Sequence, residues 1–85
     1  MSATGRLGEL GLALPPVAAP AGSYLPAVRS GHLVFTSGQL PLVDGSLLAT
    51  GKVGADVTPE RAKELAGTCA LNALAAIDAL VGLDA

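Results

Sequence analysis

The sequence has few of the residues from which proteins build disulfides, metal centres and aromatic clefts. Its 85 residues include one cysteine, one histidine, one tyrosine, one phenylalanine and no tryptophan. A single cysteine excludes an internal disulfide, and a single histidine with no cysteine nearby excludes the familiar zinc clusters. We therefore predict no metal and a core of small, closely packed side chains.

Positive charge is also scarce. Five Lys and Arg stand against seven Asp and Glu, which gives a formal net charge of −2 and a pI near 5.0. The basic residues are scattered along the chain and form no stripe that would follow a phosphate backbone. We expect no nucleic-acid partner.

Long apolar runs are missing as well, although 51% of the residues are hydrophobic. Gly5, Arg6, Gly8 and Glu9 interrupt the N-terminal segment, and no stretch approaches the roughly 20 apolar residues of a membrane span. We therefore expect no signal peptide, no membrane partner and a cytoplasmic location. One short domain without disulfides or metals buries little surface, so we also expect self-association.

The most compact apolar run is residues 33–36, which is followed at once by Ser37, Gly38 and Gln39. Its β-branched and aromatic residues favour a strand, and Gly38 lets a ligand approach the backbone amides closely. Pro41 ends the strand ladder because it has no amide hydrogen. The run predicts a buried strand that ends in a functional loop.

A hairpin is predicted around this strand. Residues 24–29 form a plausible partner strand, and Ser30-Gly31 has the length and residue types of a tight turn. Tyr24 and Ser37 then lie at the same end of two antiparallel strands, where both can line one pocket. A second turn is predicted at residues 43–46, followed by an open loop or short strand over residues 47–57.

Two helices are predicted on either side of the strands. Residues 3–12 suit a short helix within an N-terminal arm (1–20), and Pro-rich residues 14–26 favour an extended connector. Thr58-Pro59-Glu60 is typical of a helix start and Gly82 of a helix end, which predicts one long helix over 58–82. Its apolar stripe is expected to pack on the hairpin through Leu65, Cys69, Ala73 and Ile77, with Ala62, Ala66 and Leu80 on the same stripe.

Most catalytic motifs are absent from the sequence. Ser37 does not lie in a G-x-S-x-G elbow, and strand alternation points His32 to the opposite face. Cys69 on the apolar stripe is most simply a small core residue. No Gly-rich phosphate loop is present either, since Gly51 and Gly54 precede neither a Lys-Ser/Thr pair nor a helix start.

The sequence nevertheless resembles the N-terminal half of the RidA/YjgF family. The resemblance is carried by residues 21–29, by Val34 to Pro41 (V-F-T-S-G-Q-L-P), and by Ala70-Leu71-Asn72-Ala73, where that family also has an Asn. The T-S-G-Q-L-P string after a Tyr-bearing strand is the most specific of these. The resemblance implies a partial chorismate-mutase-like α+β domain over residues 1–85, with strands and loops over 21–57.

The resemblance also implies a function. Members of the family are cofactor-free homotrimers with pockets between subunits, and they hydrolyse enamines and imines such as 2-aminoacrylate to 2-keto acids and ammonia. By this resemblance Tyr24 and Ser37 are the catalytic candidates, and Gly38 and Gln39 are expected to bind the imino or enamino acid substrate. A hydroxyl and free amides suit this hydrolase chemistry because they orient water and hold an oxyanion.

The sequence departs from the family in one respect, which leaves two hypotheses about its function open. The Arg that holds the substrate carboxylate and the Glu that handles water lie in the family's C-terminal half, and neither has a counterpart here. We therefore expect the 85 residues to be part of a domain that is inactive alone. The alternative is a small-molecule-binding or regulatory member without turnover; a third reading, ribonuclease, lacks a basic patch, a second His and stacking aromatics.

Overall fold

The computed structural model describes residues 2–17 and 23–85. The predicted α+β class is confirmed, with antiparallel strands and one long C-terminal helix. Residues 18–22, in the middle of the predicted connector, lie outside the described residues. In chain order the elements are α1 (Ala3–Glu9), β1 (Ala27–Ser30), β2 (Leu33–Thr36), β3 (Leu42–Val43), β4 (Ser46–Leu47) and α2 (Pro59–Val81).

Strands β1 and β2 form the predicted hairpin, but its turn lies one residue later than expected. Ser30 pairs with Leu33, so the two-residue turn is Gly31-His32 and the prediction of Ser30-Gly31 was wrong. Gly31 has a φ of 60°, whereas His32 has no positive φ. A two-residue turn in which only the first residue has a positive φ favours glycine at that position, because glycine adopts that φ without strain.

Strands β3 and β4 form a second, shorter hairpin at the predicted turn. Val43 pairs with Ser46 across Asp44-Gly45, whose φ angles of 52° and 80° match the Asp-Gly type I′ turn. After β4 an open loop leads to α2. This is one of the two alternatives predicted for residues 47–57, the other being a short strand. A single parallel bridge between Val53 and Val57 closes part of that loop.

Helix α2 begins and ends where the sequence predicted. The Thr58 hydroxyl accepts a hydrogen bond from the Arg61 amide, Pro59 occupies the first turn, and Gly82 ends the helix with a φ of 81°. An 18-residue window of α2 has a mean hydropathy of 1.4, so by length and composition this helix could cross a membrane, contrary to our expectation that no segment qualifies. One such helix is weak evidence for a span, and α2 packs against β1, β2 and β3.

The face of α2 that is buried differs from the predicted stripe. Its buried residues are Asn72, Ala75 and Ala76, while predicted contacts such as Cys69 are only half-buried and Leu80 is exposed. The buried face is rotated by roughly one residue, about 100°, from the predicted one. Because α2 is apolar on several sides, spacing alone could not select the face. Small alanines allow close approach, and Asn72 meets backbone carbonyls there.

The two faces of the β1–β2 hairpin are unequally covered. Ala27 and Val34, on the face toward α2, are half-buried. Val28, Leu33 and Phe35 point the other way by strand alternation and remain exposed, Phe35 by 55%. We call these three residues the outer face of the hairpin. The strand run predicted to be buried is therefore covered on one side only.

Helix α1 is shorter than the predicted 3–12 segment. Its end is a Schellman motif, in which the Leu12 amide donates to the Leu7 carbonyl and the Gly11 amide to the Gly8 carbonyl. Gly11 takes a φ of 71°, which stops the helix. At the other end the Thr4 amide donates to an Asp84 carboxylate oxygen at 3.0 Å, and this bond lowers the pKa of that carboxyl below its ordinary value.

Candidate functional site

The predicted site residues lie in the loop that leaves β2. The Ser37 amide donates to the Pro26 carbonyl at 3.0 Å, which continues the hairpin by one residue pair. A normal antiparallel pair would return a second bond from residue 26, but proline has no amide hydrogen. The Ser37 carbonyl instead accepts from the Gln39 side-chain amide at 3.4 Å. The glutamine thus replaces the donor that the strand lacks.

The Ser37 hydroxyl has a defined orientation. It donates its hydrogen to the Pro26 carbonyl at 3.3 Å, and the Gln39 amide nitrogen lies 3.5 Å from the same hydroxyl oxygen. With its hydrogen donated to Pro26 and one lone pair accepting from the Gln39 side-chain amide, this oxygen keeps one lone pair for a further hydrogen bond. Ser37 is therefore arranged to accept a hydrogen bond from a water molecule or a substrate N–H.

Tyr24 and Gly38 complete the set that the sequence predicted. Gly38 is exposed, and open space lies where a side chain would project, so its backbone can be approached closely. Tyr24 lies two residues before Pro26, at the same end of the hairpin as Ser37, and is 44% exposed. The structure thus brings Ser37, Gly38 and Gln39 together in one loop and places Tyr24 at the adjoining strand end. Their catalytic and binding roles stay predictions.

One cavity lies between α2, the second hairpin and the N-terminal segment. It has a volume of about 290 Å³ and is lined by Leu42, Asn72, the Asp44-Gly45 turn and residues 15–17. Tyr24 and Ser37 are not among its lining residues. The pocket that these two were expected to share stays a prediction; Ser37 is half-buried and Tyr24 is exposed.

The sequence analysis missed the contribution of Asn72 to this region. The side chain is only 2% exposed, and its amide nitrogen donates to the Leu40 carbonyl at 3.0 Å and to the Leu42 carbonyl at 3.1 Å. A polar residue in an apolar helix was the available signal, because buried amides are nearly always hydrogen-bonded. Asn72 links α2 to the end of the site loop.

Other chemically reactive side chains lie elsewhere. His32 sits in the hairpin turn, at the opposite end of β2 from Ser37. Cys69 was predicted to be a small core residue; it is half-buried and lines an apolar cavity with Pro41 and Leu65, so it lies beside the core rather than in it. Within residues 2–17 and 23–85, no three His, Cys, Asp or Glu side chains are grouped closely enough to hold a metal ion.

A short antiparallel hairpin ending in a Ser-Gly-Gln loop and lying across one long helix defines an α+β domain of the chorismate-mutase-like type. The sequence profile of the family described as "YjgF/chorismate mutase-like, putative endoribonuclease" matches residues 4–83. The chain belongs to this YjgF/chorismate-mutase-like family, which confirms the resemblance seen in the sequence.

Individual relatives agree with this assignment. The crystal structure of a "putative endoribonuclease" from Shewanella oneidensis MR-1 is 37% identical, with a TM-score of 0.90 over 99% of this chain and 56% of its own. Atu1372 of Agrobacterium tumefaciens, a protein of unknown function, is 42% identical, with a TM-score of 0.75 over 94% of this chain and 46% of its own. Protein TCP17 of Trypanosoma cruzi is 39% identical over 91% of this chain and 48% of its own.

The chain spans about half the length of these relatives, since it covers 48% of TCP17 and 56% of the Shewanella protein. Their remaining halves therefore have no counterpart in the 85 residues. The site loop, the first hairpin and α2 all lie within the shared half.

Proposed function

We propose that the domain to which these residues belong hydrolyses reactive enamines and imines, such as 2-aminoacrylate, to 2-keto acids and ammonia. Family membership supports the proposal. The observation that carries it is the Ser37 hydroxyl, which donates to Pro26, accepts from Gln39 and keeps one lone pair for a further donor beside the open Gly38 backbone.

The reaction needs an oriented water rather than a strong nucleophile. 2-Aminoacrylate tautomerises to the imine of pyruvate; water adds to the imine carbon, and the carbinolamine then releases ammonia as the C–N bond breaks. The Ser37 oxygen would accept a hydrogen from that water, and Tyr24 would donate to the substrate nitrogen or carboxylate. A site that holds the water and the imine in the right orientation makes the attack effectively intramolecular, which raises the rate greatly without a covalent intermediate.

The proposal includes a trimer with sites between subunits. The outer face of the hairpin supports it, because monomeric proteins rarely leave neighbouring large apolar side chains such as Val28, Leu33 and Phe35 uncovered. By the family resemblance, an Arg for the substrate carboxylate and a Glu for the water come from outside these 85 residues. We therefore expect the 85-residue chain alone to leave enamine hydrolysis at its uncatalysed rate.

The test is ammonia release by the full-length protein from 2-aminoacrylate generated in the assay by a pyridoxal-phosphate enzyme. We expect Ser37→Ala and Tyr24→Phe each to lower kcat/KM by about a hundredfold, since positioned proton-transfer and hydrogen-bonding groups typically contribute at least that much. Ser30→Ala, an exposed serine at the far end of the hairpin, is the matched control and should retain full activity. Acceleration that survives both site variants would contradict the assignment of the site.

Two alternatives are outcomes of the same experiment. Ligand binding without turnover would identify a small-molecule-binding or regulatory member of the family. Cleavage of RNA would support the function named for the Shewanella relative. This chain offers little for that chemistry, because it has one histidine and its Arg29 Nε donates to the neighbouring Gly31 carbonyl.

A further inference from the structure

The end of the site loop is a tight turn with few partners of its own. The Leu42 amide donates to the Leu40 carbonyl at 2.8 Å, which makes a three-residue turn centred on Pro41. Proline suits the centre because its fixed φ lies close to that of an inverse γ-turn. Pro41 also has no amide hydrogen, so the carbonyls of the neighbouring residues accept hydrogen bonds from other groups.

Asn72 supplies those partners from α2. Its one amide nitrogen donates to the carbonyls on both sides of Pro41, and the Leu40 carbonyl thereby accepts two hydrogen bonds. A short side chain with two hydrogens on one nitrogen is required for this geometry. Aspartate has the same shape but, when ionised, only accepts.

The site residues lie between this anchor and one other. At the start of the loop, Ser37 is bonded to Pro26 through both its amide and its hydroxyl. Between the two anchors stands Gly38, the residue with the greatest backbone freedom. The direction in which Ser37, Gly38 and Gln39 face therefore depends on both anchors being in place.

We propose that Asn72 is a positioning residue for the candidate site, because its two hydrogen bonds to Leu40 and Leu42 hold the Ser37–Gln39 loop in the geometry that the substrate meets. The inference rests on the proposed function. Asn72 touches no reacting atom, and it acts through the loop backbone alone.

The experiment compares Asn72→Asp with Ala75→Gly in the full-length protein. Ala75 is buried on the same face of α2, three residues further on, so its glycine variant weakens the helix without removing a bond to the loop. By amide hydrogen exchange, we expect the Leu42 and Ser37 amides to exchange about tenfold faster in Asn72→Asp only. Exchange of the loop amides is measured relative to that of amides in the centre of α2, which reports the general weakening of each variant.

Two further readouts separate positioning from general weakening. Loss of water orientation should lower kcat more than it raises KM in Asn72→Asp, whereas Ala75→Gly should change neither. Lowering the pH should partly restore the protection factors of the loop amides in Asn72→Asp toward wild type, after correction for the intrinsic slowing of exchange in acid, because a protonated carboxyl donates one hydrogen. If Asn72→Asp does not fold, Asn72→Ser, which is neutral and keeps one donor, should show the same effects at smaller size.

Equal loop exchange in the aspartate and glycine variants would overturn the inference, and so would an equal loss of kcat in both. A wild-type protein that hydrolyses no enamine would defeat the proposed function instead. In that case the exchange measurement still decides whether Asn72 holds the loop.

Discussion

The two faces of the β1–β2 hairpin differ in both size of side chain and cover. Toward α2 the hairpin presents Ala27 and Val34, which are half-buried; Ala27 lines a cavity with Ala76 of α2, and Val34 lines one with Val81 at the end of α2. Away from α2 it presents its outer face, whose large apolar side chains are exposed. Small side chains on the inner face let the hairpin approach α2 closely, whereas the outer face leaves a large apolar surface uncovered. Within these 85 residues only the inner face of the hairpin packs against a helix, and the uncovered outer face fits the subunit contact proposed above.

The strongest test of this comparison is to place a charge on the outer face. Phe35→Asp should weaken the free energy of subunit association by about 2–4 kcal/mol, because a carboxylate replaces a large apolar side chain at the proposed interface. Sedimentation of the full-length protein at micromolar concentration would then show dissociated subunits. His32→Asp adds the same charge at the exposed turn and is the control. Unchanged assembly in Phe35→Asp would mean that the outer face is not an interface.

The inner face should instead respond to added volume. Ala75→Leu is expected to destabilise the fold by about 2 kcal/mol, because Ala75 is 4% exposed on the buried face of α2 and three more carbons must displace its packed neighbours. Denaturant unfolding measures the loss. Ala70→Leu places the same side chain on an exposed part of α2 and should change stability by less than about 0.5 kcal/mol. Equal effects at the two positions would contradict the assigned face.

A smaller effect is expected at the start of α2, which carries the inner face. Thr58→Ala should cost about 1 kcal/mol of unfolding free energy, since the Arg61 amide loses its side-chain acceptor. Thr58→Ser keeps the hydroxyl and should remain close to wild type. The midpoint and slope of urea unfolding distinguish these cases, and a stable alanine variant would show that the cap does not contribute.

The smallest effect concerns the exposed bond between α1 and Asp84. Because the folded pKa of Asp84 lies below its ordinary value of 3.8, its contribution to stability is complete above that value and is lost as the pH falls through the folded pKa. Asp84→Asn should therefore be slightly less stable than wild type at neutral pH, with the difference vanishing in acid. Urea unfolding at pH 7 and pH 2 checks this; a difference that persisted at pH 2 would argue against the linkage.

Local features of the fold could be predicted because single residues decide them. Thr58 and Gly82 set the ends of α2, and Asp44-Gly45 sets the second turn, since each relies on capping or on a φ that few residues accept. The first turn was misplaced by one residue because serine and glycine are both turn formers. Only the strand register showed that Gly31 comes first.

Packing could not be predicted in the same way. An alanine-rich helix has no single apolar stripe, so the choice of Ala75 and Ala76 over Cys69 depends on the strands it meets. Likewise the sequence indicated Ser37, Gly38 and Gln39 as one loop, but not that Pro26 would accept two bonds from Ser37. Asn72 required knowledge of contacts 30 and 32 residues away in the chain.

That separation sets an order of events during synthesis. Leu40 leaves the ribosome 32 residues ahead of Asn72, which at 5–20 residues per second is a delay of about 2–6 s. The first hairpin can close in microseconds, but a lone two-stranded hairpin is marginal in water, so we expect it to open and close until the helix that fixes its loop is made. Through that interval the loop is unset and the apolar face of the hairpin is uncovered. The candidate site is therefore among the last parts of this half of the domain to acquire its shape, and a chaperone that shields the hairpin would act within those seconds.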